Sequence, residues 1–155
     1  MPKLVKYSGL TFVVALVALI TTLTITGGFI RPEPRLGILG VGSAKFSVQI
    51  VDDQRSRSQG LSGRKELGSD EGMLFVFEDL GLHSFWMRGM EFPLDFIWIR
   101  DGEVVGIESN AQPDNSADPK IYFPPEPIDN VLEINAGMSD IFNLKVGDEV
   151  YLLVN

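Results

Sequence analysis

The chain of 155 residues contains no cysteine and a single histidine, His83. The first absence excludes disulfides, thiolate nucleophiles, cysteine-ligated metals and a lipid-modified cysteine, and the second excludes zinc sites built from several imidazoles. Stability must therefore come from packing alone. Basic side chains are scarce as well: from Leu36 onward nine Lys or Arg stand against twenty Asp or Glu, a net charge near −11. Such a surface repels phosphate backbones, so no nucleic-acid partner is expected. The chain also lacks a Gly-x-Ser-x-Gly elbow, a phosphate-gripping glycine loop with lysine, and a His-Glu-x-x-His pair, which removes the commonest enzyme templates.

Charge is missing entirely from one stretch, residues 8–30. At about 1.5 Å of helical rise per residue, this run is long enough to cross a hydrocarbon core of about 30 Å. Lys3 and Lys6 precede it, whereas Arg31 and Arg35 follow it together with Glu33. That bias favours a cytoplasmic N-terminus at 1–7, a single transmembrane anchor at 8–30 and an extracytoplasmic domain. A cleaved signal peptide, which would leave a secreted domain, is the alternative. Its apolar region usually runs about 7 to 15 residues and ends in a small-x-small site, and residues 24–28 fit such a site poorly. Residues 31–42, opening on Arg-Pro-Glu-Pro, read as a linker. Residues 43–155 then make one domain, long enough for one core and too short for two comfortable ones.

What is present in that domain reads as strands joined by turns. Residues 45–51 alternate with Phe46, Val48 and Ile50 on one face, the period of a half-buried strand. Residues 56–67 are polar apart from Leu61 and Leu67 and are broken by Gly60 and Gly63, which predicts a short helix or turn. Further strands are expected at 73–77 and 84–87. The clearest hairpin pairs 94–100 with 103–108 around Asp101-Gly102, a dipeptide suited to a type I′ turn. Five prolines between 109 and 130 predict a long ordered loop. A strand at 131–134, a turn at Gly137, a helical turn near 139–142 and a closing strand at 149–154 complete the pattern.

Five blocks in order carry a family resemblance: Gln59-Gly60-Leu61-Ser62-Gly63-Arg64, Gly72-Met73-Leu74-Phe75-Val76-Phe77, Ser84-Phe85-Trp86-Met87-Arg88-Gly89-Met90, Pro93-Leu94-Asp95, and Val131-Leu132-Glu133-Ile134 with Ala136-Gly137. Together they resemble the family called domain of unknown function 192, over roughly residues 43–155. Ser62 stands where that pattern often has Met, and Gly89-Met90 where it often has Asn-Thr. The resemblance implies an all-β domain with minor short helices, a single compact antiparallel sandwich or barrel of jelly-roll-like type, often exported. It brings no established activity.

Four residues stand out as candidates for ligand contact. Phe85 and Met87 share one face of a strand and Trp86 points to the other. With Phe85 and Met87 in the core, Trp86 either caps the core with its N–H on a carbonyl or lies in a cleft, where its indole suits a sugar ring or another planar ligand. Asp95 interrupts an apolar strand, where an ionised carboxylate needs a partner. Arg64 is the first nominee and Arg88 the second; such a pair either pins a loop to the sheet or lines a charged cleft. His83 with Met73, Met87 and Met90 raises copper(I), but their spacing disfavours it and methionines are ordinary core fillers. No metal or other cofactor is expected. Acid–base work needs a perturbed group in a cleft, which the adjacent pairs Asp70-Glu71 and Glu78-Asp79 do not by themselves supply.

Three functional readings follow, in order of preference. The first is a membrane-tethered binding module in which Arg64, Trp86, Met87 and Asp95 hold a saccharide, a peptide or another envelope component. The second is a structural or assembly partner of an envelope protein. The third is a hydrolase-type enzyme using Asp95 or a nearby Glu as acid or base.

Overall fold

A computed structural model describes residues 34–154. The expected anchor at 8–30 lies outside the described residues, among which no helix is long and apolar enough to cross a membrane.

The chain opens with β1 (Arg35–Val41), which pairs antiparallel with β2 (Ala44–Val51). Along β2 the expected alternation holds, with Phe46, Val48 and Ile50 buried and Lys45 and Ser47 exposed. Next comes α1 (Gln54–Gln59), whose N-terminus is capped by Asp53: its carboxylate accepts from the backbone N–H of Arg55 and Ser56 at 2.9 and 3.0 Å. The remaining elements are β3 (Glu71–Gly81), β4 (Phe85–Trp86), β5 (Leu94–Arg100), β6 (Glu103–Ala111), β7 (Ile121–Tyr122), β8 (Ile128–Asn135), α2 (Met138–Ile141) and β9 (Val150–Val154). Asp101 and Gly102, with φ of 51° and 76°, turn β5 into β6 as the sequence predicts.

Seven strands form one sheet in the order β6-β5-β8-β3-β2-β1-β9, and β4 with β7 makes a separate two-stranded ribbon. The large sheet curls until its edges meet at one end. There Glu103 of β6 bridges Glu149, just ahead of β9, and the N–H of Val150 donates to the carbonyl of Gly102 at 2.8 Å. The result is a curled half-barrel with apolar side chains on both faces. One face gathers Phe46, Ile50, Leu74, Ile97, Leu132 and Ile134, with Phe142 packed edge-on against Phe46. The other gathers Met73, Phe75, Phe96, Trp98 and Val131 beneath Leu61, Met87 and Tyr122.

Several expectations are corrected. The sheet is not wholly antiparallel, because β2 and β3 run parallel. The α1-containing excursion between them is long enough to carry the chain back to the same end of the sheet, as a parallel pair requires. Residues 35–41 are not linker but β1, inserted between β2 and β9. Within it Gly40 stands opposite Tyr151, whose ring occupies the space where a Cβ would be. The expected strand at 84–87 shrinks to two residues. The Pro-rich region, in turn, contributes the end of β6, all of β7 and the start of β8.

Candidate functional site

A cleft of about 370 Å³ opens between α1 and β4, with β3 and β8 at its base. Gly60 ends α1 with φ of 50° and turns the chain so that Leu61 enters the core. The turn that follows is tied to the far wall: Gly63 N–H donates to the Gly89 carbonyl at 2.9 Å and the Ser62 hydroxyl to the Arg88 carbonyl at 3.2 Å. One wall is aromatic. The Phe77 ring carries the His83 imidazole stacked at 3.7 Å with an interplanar angle of 7°, and the Arg57 guanidinium lies 5.1 Å from its centroid. Arg57 also donates to the Val76 carbonyl at 2.9 Å, and His83 Nε2 sits 3.0 Å from the Asp79 carbonyl. Neutral polar side chains, Gln54, Ser58, Gln59, Ser62 and Ser84, contribute to the lining.

Trp86 stands at the mouth, 53% exposed and in register with the exposed Ile121 of β7. Phe85, its neighbour, turns the other way and packs on Phe75, Phe77, Phe96 and Trp98. This is the alternation the sequence predicts, and it leaves the indole outside the core. The Arg88 guanidinium rests 5.4 Å from the indole ring, a cation–π contact of modest strength at an exposed site. Met87 is fully buried and belongs to the packing beneath the cleft.

The other two nominees do not join Trp86. Asp95 and Arg64 are not paired. Asp95 is fully buried on the opposite face of the sheet, in register with Ile134. One of its oxygens accepts from Asn110 N–H at 2.8 Å. The other accepts from Gly137 and Ser139 N–H, each at 3.0 Å, and from the Ser139 hydroxyl at 2.6 Å. A bulge explains the geometry: the β5–β6 register shifts between Leu94 and Phe96, so Asp95 faces a free backbone N–H. Its partners are backbone and serine donors, not a cation. Arg64 instead donates to the Gln49 side chain.

The residue that sequence reasoning passed over is Glu133. It lies at mid-β8 between Met73 of β3 and Phe96 of β5, so it emerges on the apolar face beneath the cleft, which it helps to line. It is 5% exposed, and because no fully enclosed side-chain polar atom among the described residues lacks a partner, its carboxyl oxygens open onto the cleft. Burial pushes this carboxyl up to about 8, opposed by the positive charge of Arg64. The signal was available: a lone acid inside Val131-Leu132-Glu133-Ile134 is the anomaly that singled out Asp95.

A model of the family described as uncharacterised, domain of unknown function 192, matches residues 38–152. The chain belongs to that family. A crystal structure from Sinorhizobium meliloti 1021, provisionally described as a transcription regulator, is 30% identical with a TM-score of 0.71, covering 77% of this chain and 95% of that one. Another, a protein of unknown function from Novosphingobium aromaticivorans DSM 12444, is also 30% identical, with a TM-score of 0.72 and coverage of 79% and 89%. No curated protein matches the chain. Every sequence block quoted for the resemblance falls within the matched span, and Glu133, the unpartnered acid, belongs to one of them.

Proposed function

We propose that the protein is a membrane-tethered, extracytoplasmic binding module whose α1–β4 cleft holds a small ligand, a saccharide or a short peptide of the envelope, against Trp86. The observation that carries this reading is the cleft itself. Its volume of about 370 Å³ falls at the lower end of the range of roughly 300 to 1,000 Å³ occupied by small-molecule sites, which are mostly apolar with a few convergent polar groups. A half-exposed indole at the mouth and a stacked Phe77–His83 pair inside supply planar surfaces. The uncharged run at 8–30 supports the tether.

A docking role for an envelope protein is the second reading, favoured by the exposed apolar side chains Leu82, Ile121 and Phe123 in and beside the β4–β7 ribbon. Hydrolysis by paired carboxylates draws no support from the cleft, whose lining includes Glu133 as its carboxylate without a second one opposite. A DNA-regulatory role, suggested by the description of the Sinorhizobium protein, is opposed by the net charge near −11 beyond Leu36.

Two experiments test the reading. The full chain, screened against neutral glycans and short peptides, is expected to retain a small set of them. A protein that binds none, yet co-purifies with an envelope protein through Leu82 and Phe123, would favour docking instead. Deleting residues 1–33 is expected to release the domain from the membrane fraction, and persistence there would contradict the tether.

A further inference from the structure

We infer that the cleft ligand is a neutral, hydroxyl-rich ring, a saccharide, and that Glu133 receives it as an uncharged carboxylic acid whose O–H donates to a ligand oxygen while its carbonyl accepts from a ligand hydroxyl. This deepens the binding reading above and rests on it.

Three observations converge. Glu133 is a side chain more than nine-tenths buried that lines the cleft, and burial and the Arg64 charge, with no hydrogen bond, act on its carboxyl group. Among the described residues no fully enclosed side-chain polar atom lacks a partner, so its oxygens open onto the cleft. A buried polar group without a partner costs free energy until something supplies the bond. No bond from the described residues is drawn to it, so it is met by what fills the cleft, water or a ligand that displaces it. The second observation concerns charge. Arg64, of the turn after α1, is the charge that acts on Glu133, and Arg57 of α1 and His83 ahead of β4 are the other titratable groups of the cleft, whereas β3 and β5 present Met73, Phe75 and Phe96. An amine ligand seeking an ionised Glu133 would enter a cleft that already holds the Arg57 guanidinium. Like charges in a poorly solvated site repel strongly. Burial supports the same conclusion, since a carboxyl held near 8 is mostly protonated at neutral pH.

The third observation is the rest of the lining. Gln54, Gln59 and Ser84 are uncharged side chains that both donate and accept, and the hydroxyls of Ser58 and Ser62, which donate to backbone carbonyls, are left to accept, a complement to ring hydroxyls. Trp86 and the Phe77–His83 stack offer flat apolar faces to the C–H face of a sugar ring. A peptide would satisfy the aromatic surfaces, but its backbone offers one donor and one acceptor per residue, whereas a sugar ring carries several hydroxyls that each do both.

Calorimetric titration of the full chain tests this, in a detergent without a sugar headgroup, with chitotriose, maltotriose and cellotriose as neutral probes and tryptamine as a cationic one. At least one trisaccharide is expected to bind. Its affinity is expected to fall about thirtyfold from about pH 7 to about pH 9.5, as the acid with a value near 8 ionises. That window lies above the usual histidine range. Glu133→Gln, which keeps a donor and an acceptor, is expected to bind the same sugar with the pH dependence abolished. Tryptamine binding that strengthens with pH and disappears in Glu133→Gln would overturn the inference while leaving a binding cleft intact. Sugar binding with the same pH profile in wild type and variant would also overturn it. If no probe binds and the glycan and peptide screens are empty as well, the binding reading itself fails. Co-sedimentation with insoluble cell-wall glycan distinguishes a polymeric source from a free oligosaccharide, and capture by either supports the saccharide class.

Discussion

Asp95 and Glu133 are the two buried carboxylates among the described residues, and they sit on opposite faces of adjacent strands. Their environments could hardly differ more. Asp95 is saturated: its bonds join the β6 bulge, the Gly137 turn and the start of α2, which makes it a structural anchor. Asp95→Asn is expected to cost about 2–4 kcal/mol, because the amide NH2 would face backbone donors in a buried site. Thermal unfolding checks this, and a loss below about 1 kcal/mol would deny the anchoring role. Glu133 has no such network, and its carboxyl is left to the cleft. Both acids break an apolar strand in the sequence, so both were legible as anomalies. Which one was satisfied was not, because Asp95's donors come from residues 15 to 44 positions away in the chain.

At the scale of elements, the segments with plain period-two alternation or an Asp-Gly turn were readable: β2, the β5–β6 hairpin and β8 lie where the pattern predicts. Those decided by tertiary pairing were not. β1 carries two glycines and becomes a strand because β2 and β9 flank it, while the parallel β2–β3 pairing depends on the path of the chain through α1. The Pro-rich loop is held by Asp114, which accepts from Ser116 and Lys120 N–H at 3.0 and 2.9 Å, and by Asn115, which accepts from Gly89 N–H at 2.7 Å. The bonds from Lys120 and then Ser116 hold the Asp114 carboxyl below the usual carboxylate range. Asp114→Ala is expected to raise amide hydrogen exchange across residues 114–122 and to leave β5 and β8 protected. Unchanged exchange in the loop would mean that Asp114 does not order it.

For the molecule as a whole, the buried acid and three hydrogen-bonded aspartates pull stability in opposite directions with pH. Asp53, Asp114 and Asp148 are all held below their ordinary value by hydrogen bonds, so their contribution is present above about pH 4 and is lost as pH falls. Glu133 is raised from 4.5 to about 8. Between those values the unfolded chain gives up the proton that the folded chain keeps, and stability declines as pH rises through this window, by an amount on the order of a few kcal/mol. Stability is therefore expected to climb from about pH 2 to about pH 4, to decline toward pH 8, and to level off beyond it. Denaturant titrations across this range check the profile, and Glu133→Gln is expected to remove the decline. A decline that persists in the variant would assign it to another group.

Whether the α1–β4 cleft is the binding site is read from the indole N–H resonances of the two tryptophans during titration with a trisaccharide. Trp98 is 2% exposed in the core and serves as the internal reference, while Trp86 is 53% exposed at the mouth. A saturable shift of the Trp86 signal is expected, with little change at Trp98 and with loss of binding in Trp86→Ala while the fold is retained. A Trp86 signal that stays in place while the sugar binds would contradict binding in the cleft.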